Sequence, residues 1–74
     1  MTLYDVTGED RDGARVMLAA DWDSYEAADL LAEETSRDAG TWKRVTVRDG
    51  DTGHLLRSYA GGETETIGMV QVRR

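Results

Sequence analysis

The sequence predicts an α+β domain of two layers, an antiparallel sheet of four to five strands with one helix packed across a face, in the order ββαββ(β). Three observations lead there. One Ala-, Leu- and Glu-rich segment, residues 24–39, contains neither proline nor glycine and lies near the middle of the chain. On either side of it stand short runs of apolar and β-forming residues separated by glycine-containing turns. The connections between these runs are short, which favours antiparallel neighbours.

Taken in order, residues 2–7 (Thr-Leu-Tyr-Asp-Val-Thr) are rich in β-formers and stop at Gly8, giving a first strand. Residues 8–13 are polar with glycine at both ends, a composition suited to a solvated loop. A second strand follows in residues 14–20 around Val16, Met17 and Leu18, closing a hairpin. The helix comes next, with Asp23 expected as N-cap and Glu26 reaching back three residues in a variant capping box. Gly40 is expected to end it in the left-handed conformation. At 100° per residue Tyr25, Ala28, Leu31, Ala32, Thr35 and Ala39 share one face, and that stripe should meet the sheet. Its small side chains allow a close approach.

A third strand runs from Trp42 to Arg48, alternating so that Val45 and Val47 take one face and Arg44, Thr46 and Arg48 the other. Residues 49–53 (Asp-Gly-Asp-Thr-Gly) form a turn, and residues 54–59 return as the fourth strand. Gly61-Gly62 ends that strand, and residues 64–72, with Ile67, Met69, Val70 and Val72, add a fifth strand or an edge. No linker or repeat divides the chain, so residues 1–74 read as one domain.

Composition narrows the chemistry. A chain of 74 residues buries only roughly 60% of the surface it exposes when unfolded, so its stability margin is thin. With no cysteine, disulfides, thiolate metal sites and dithiol redox chemistry are excluded. Fifteen acidic against nine basic side chains leave a net charge of −6, which disfavours nucleic acid and anionic membranes as partners. No apolar run reaches the 18 or so residues that span a bilayer. The start at Met1 lacks the basic and apolar regions of a secretory leader, so a cytoplasmic protein is expected. Eight arginines to one lysine, a single isoleucine and no Asn or Phe suggest a GC-rich bacterial or phage genome.

No catalytic set is legible. His54 is the only histidine, and with neither cysteine nor a lysine partner at hand it reads as a polar residue beside a turn. Asp49 and Asp51 superficially resemble a calcium loop, but His54 stands where glycine is needed and Ala60 where a bidentate Glu is needed. The acids of residues 9–12 and 21–23 lie in polar sequence, where solvation leaves carboxylates ordinary. Gly61-Gly62 lacks the Lys-Ser or Lys-Thr of a phosphate loop. A non-enzymatic protein without metal or cofactor is expected.

Charge distribution says more than net charge. Residues 1–40 hold eleven acidic and three basic side chains, whereas residues 41–74 hold four acidic and six basic ones. Glu26, Asp29 and Glu33 share an outward helix face, with Leu30 between them and Glu34. These five residues form a candidate surface for a protein partner, basic and apolar-tipped, with a regulatory role. An alternative uses the opposite sign: Trp42, Arg44 and Arg48 on strand three, with Arg57 nearby, as a platform for single-stranded nucleic acid. A second alternative makes the acidic helix a nucleic-acid mimic that inhibits a nucleic-acid-binding protein. Self-association through an exposed sheet edge is a further possibility for the partner.

Overall fold

Period-two alternation in strands and a small-residue stripe on the helix have one economical solution, a sheet with a helix laid on its apolar face. A computed structural model describes residues 2–65 in that arrangement. The elements are β1 (Tyr4–Asp10), β2 (Arg15–Trp22), α1 (Tyr25–Ser36), β3 (Trp42–Asp49), β4 (Leu55–Ala60) and β5 (Glu63–Thr64). They form one sheet in the order β2-β1-β3-β4-β5, with every neighbouring pair antiparallel.

The two hairpins anticipated from the turns are present, as β1–β2 and β3–β4. They are joined through β1 and β3, which pair from Tyr4↔Asp49 to Gly8↔Val45 without a slip. α1 therefore carries the chain from β2 over β1 into β3, so β2 and β3 run in the same direction without touching. This central pairing follows from burial: Val6, Val45 and Val47 are fully buried under the helix, and no other strand pair offers so apolar a seam.

The core is shallow. Val6, Val45 and Val47 are its largest fully buried apolar side chains, joined by Tyr59 and Ala19 from the sheet and by Ala28 and Ala32 from the helix. Ala28 and Ala32 let the helix backbone lie close to the valines, and Tyr4, Leu18, Tyr25, Leu31 and Trp42 pack around the margin, half-buried. The expected stripe thus faces the sheet, except that Ser36 rather than Ala39 is its last buried member. Ser36 Oγ donates to the Glu33 carbonyl at 2.9 Å and accepts the Gly62 N–H at 3.0 Å, which ties the helix end to the β4–β5 turn.

Both helix ends differ from expectation. Ser24, not Asp23, is the N-cap: its backbone is extended at φ −119°, ψ 114°, and its Oγ accepts the Ala27 N–H at 3.2 Å. Glu26 then falls one residue short of the position from which a capping box closes, and acts only as an acid in the first turn. The helix stops at Ser36, and Gly40 does not adopt positive φ. Instead the Asp38 carbonyl accepts the N–H groups of both Thr41 and Trp42, turning the chain into β3. Ser24→Ala is expected to cost about 1 kcal/mol in urea unfolding, and Asp23→Ala clearly less.

The first strand is also longer than its composition indicates, continuing through Gly8 and Glu9 to Asp10. The expected loop shrinks to a turn in which Asp10 Oδ1 accepts the N–H groups of Asp12 and Ala14, each at 2.9 Å, and Gly13 sits at φ +92°. Gly8 belongs in the strand because Trp42 lies over it: a Cβ at Gly8 would stand 2.6 Å from Trp42 Cζ3. Gly61 and Gly62, at φ +63° and +84°, make a two-residue turn into β5, where Glu63 pairs with Ala60 and Thr64 with Tyr59. The remainder of the predicted last strand, residues 66–72, lies outside the described residues.

Candidate functional site

The outer face of α1 divides into an inward and an outward part. Asp29, expected among the outward acids, turns its carboxylate to the sheet: Tyr59 Oη donates to Oδ1 at 2.7 Å, and Arg57 Nη1 lies 3.9 Å from Oδ2. Arg57 Nη1 also donates to Tyr59 Oη at 3.5 Å, so the three side chains clamp β4 to the helix. Burial pushes the Tyr59 phenol up, and its hydrogen bond to Asp29 adds to this against the opposing effect of Arg57. The Arg57 guanidinium is also shifted up, first by its bond to Tyr59. With its proton on, the phenol donates to Asp29 and so ties β4 to the helix.

What remains outward is Leu30, 56% exposed, with Glu26 and Glu34 exposed beside it and Glu33 half-buried. Arg37 reaches back to Glu33 at 3.4 Å and to Glu34 at 3.9 Å. These are surface pairs worth a few tenths of a kcal/mol and readily exchanged for another cation. The structure thus keeps Glu26, Leu30, Glu33 and Glu34 together as one surface and removes Asp29 from it.

The platform imagined on strand three is not assembled. The pairing of β1 with β3 shifts between Glu9↔Arg44 and Asp10↔Trp42, a bulge that leaves Lys43 as the extra residue. The shift swings Trp42 onto the helix side, over Gly8 and against the core. Arg57 pairs with Val47 and points to the helix side as well, toward Tyr59. Arg44 and Arg48 stay on the uncovered face, in a shallow concavity of about 190 Å³ whose other walls are Thr7, Glu9, Arg15, Thr46 and Leu55. There Arg44 lies 3.3 Å from a Glu65 carboxylate oxygen and 3.9 Å from one of Glu9, while Arg48 donates to the Gly53 carbonyl at 3.0 Å. Ser58 donates to the same Glu65 carboxylate at 2.8 Å. On this face Arg44 is paired with carboxylates and Arg48 is held by a backbone carbonyl, with no aromatic side chain lining the concavity.

At the 49–53 turn the Asp49 carboxylate accepts the N–H groups of Asp51 at 2.8 Å and Thr52 at 3.1 Å, with Gly53 at φ +78°. Its acceptor capacity serves its own backbone. Among the described residues no three His or carboxylate side chains converge as a metal site requires, and no helix is long and apolar enough to cross a membrane.

One surface was not singled out by sequence reasoning. β2 ends the sheet on one side, and Val16, Met17 and Trp22 on it are 42%, 56% and 37% exposed. The signal that could have found it is the uncharged run Val-Met-Leu-Ala-Ala of residues 16–20. Compared with protein-family models, curated proteins and solved structures, the chain matches none.

Proposed function

We propose that this chain is a non-enzymatic protein-interaction module that docks a basic, apolar-tipped segment of another protein on the outer face of α1. The observation that carries this reading is Leu30, a large apolar side chain 56% exposed, with the carboxylates of Glu26, Glu33 and Glu34 three or four residues away and Ala27 exposed beside it. An apolar anchor beside carboxylates is suited to a partner with an aliphatic or aromatic tip flanked by Lys or Arg: the anchor supplies desolvation and the carboxylates supply orientation. The clamp from Tyr59 and Arg57 to Asp29 favours this role, because a helix held at mid-length presents a rigid surface with little ordering cost on binding.

Affinity capture from the native host with immobilised wild-type chain, followed by mass spectrometry, tests the reading. A retained protein that is lost with Leu30→Asp, and kept with a charge placed on the sheet at Met17→Lys, is the expected result. Retention unchanged in a folded Leu30→Asp chain, or no specific retention by the wild type, would refute it.

A further inference from the structure

We propose that the uncovered face of the sheet holds a binding site for a small phosphate-bearing anion, in the concavity lined by Arg15, Arg44 and Arg48. The inference does not depend on the helix surface, which lies on the other side of the sheet.

Charge is sorted sharply at this place. Residues 2–65 contain seven basic and fifteen acidic side chains. Three of the seven basic ones line the concavity, against one of the fifteen acidic ones, Glu9. A second carboxylate, Glu65, reaches Arg44 from outside the lining. The concavity is therefore cationic on balance within a chain of net charge −6, and an anion entering it exchanges water for guanidinium donors. Most of those donors are unused. Arg48 gives an N–H group to the Gly53 carbonyl, and the Nε of Arg44 is buried beside Glu65, out of line for a hydrogen bond. Arg15 is exposed and has no carboxylate within ion-pair distance among the described residues.

Strand register builds the site. Across β2, β1 and β3 one row of cross-strand neighbours is Arg15, Glu9 and Arg44. In the middle Thr7 stands opposite Thr46, and at the far end Arg48 stands opposite Leu55 of β4. Two arginines thus lie on one side of the threonine pair and the third on the other, a triangle rather than a line. A tetrahedral phosphate directs oxygens to three sides at once, whereas a carboxylate offers two in one plane, so this arrangement selects phosphate. Thr7 adds a hydroxyl whose present acceptor, Met17 Sδ at 3.9 Å, is weak and readily exchanged for an anionic oxygen. A concavity of about 190 Å³ equals about six water volumes, room for one phosphate group with a short organic stem against Leu55. It falls below the roughly 300 Å³ at which pockets for drug-sized ligands begin. Because four paired strands carry these side chains, little backbone ordering is needed on binding.

The test follows amide NMR shifts of the full chain while inorganic phosphate, ethyl phosphate or succinate replaces chloride at constant ionic strength. It is run at about pH 8, where phosphate groups are dianions. Saturable shifts centred on Thr7, Arg44 and Thr46 are expected with both phosphates, half-complete at or below about 1 mM, and at least about tenfold weaker binding with succinate. Tighter binding of ethyl phosphate identifies an organic phosphomonoester as the ligand, and equal binding identifies free phosphate. Arg15→Gln and Arg48→Gln should each weaken phosphate about tenfold or more, the loss of one charge-assisted contact, with an unchanged far-UV spectrum. Glu9→Gln, which removes the one carboxylate of the lining, should tighten it. Leu30→Asp should bind phosphate as the wild type does, so failure of the helix reading leaves this one standing and the reverse. No saturable shift of the wild type with either phosphate overturns the proposal, and that readout needs no variant. So does succinate binding as tightly as phosphate, or phosphate binding that survives both arginine variants.

Discussion

Tyr59→Ala is expected to remove a large share of the chain's folding stability. Tyr59 is the largest side chain in the buried core, 4% exposed, and it fills the space between β4 and α1 that Ala28 and Ala32 are too small to fill. Aromatic-to-alanine changes in cores cost about 3–5 kcal/mol. A domain of this size has a total stability of roughly 4–11 kcal/mol, so about half of a typical margin disappears. Far-UV circular dichroism with a urea titration measures the loss. Tyr59→Phe separates the two roles of the residue: the ring stays, Asp29 loses its donor, and the cost should be about 1–2 kcal/mol. A Phe variant as unstable as the Ala variant, or an Ala variant as stable as the wild type, would contradict this account.

The same phenol sets an alkaline limit. Burial raises its pKa in the folded chain above the ordinary value of 10.0, so the unfolded chain gives up this proton first as pH rises. The preference for the neutral phenol is therefore fully present at neutral pH. It is lost progressively from about pH 10 upward, through the folded value. Stability against urea should fall in that window in the wild type and fall less steeply in Tyr59→Phe.

Gly8→Val should also be destabilising, through a clash rather than a cavity. A Cβ at this position meets Trp42 Cζ3 at 2.6 Å and Cε3 at 2.7 Å, distances at which the indole must move. Trp42 is half-buried against the core, so displacing it opens the seam between β1, β3 and the helix. Overpacking of this kind costs about 1–3 kcal/mol, against which the better β-propensity of valine returns less than about 1 kcal/mol. Near-UV circular dichroism should report the displaced indole. Trp42→Ala should relieve the clash, so the double variant Gly8→Val with Trp42→Ala should be more stable than the sum of the two single effects by about 1 kcal/mol or more. Strict additivity, with an unchanged near-UV spectrum in Gly8→Val, would show that the indole is not held over Gly8.

These residues also mark where sequence reasoning succeeds and where it stops. Ala28, Ala32, Val45 and Val47 were legible as core because each is periodic within its own element, at 3.6 in the helix and 2 in the strand. The two hairpins were legible because Gly13, Asp49 and Gly53 carry their turn chemistry locally. Local composition makes Gly8 a loop residue, because it cannot register an indole arriving from 34 positions away. Strict alternation puts Trp42 on the Arg44 face, as the nucleic-acid platform requires, but one bulge residue, Lys43, reverses the alternation and Trp42 packs at the helix–sheet junction; a bulge is created by strand pairing rather than by the bulged sequence itself. Of the acidic surface, Glu26, Leu30, Glu33 and Glu34 stayed outward as helical spacing implied. Asp29, at the boundary of the same face, was drawn inward by Tyr59 from another element.

By itself, then, the sequence determined the α+β class, the number and order of the main elements, the small-residue character of the helix–sheet contact and the absence of thiol chemistry. All of these depend on side-chain type and on periods of a few residues. Tertiary structure alone decided that β1 lies between β2 and β3, that β2 is left as a long open edge, and that the arginines of the second half divide between two faces. These outcomes turn on which apolar seam buries most deeply and on how the strands register against one another, and such competition among distant segments is not written in any one of them.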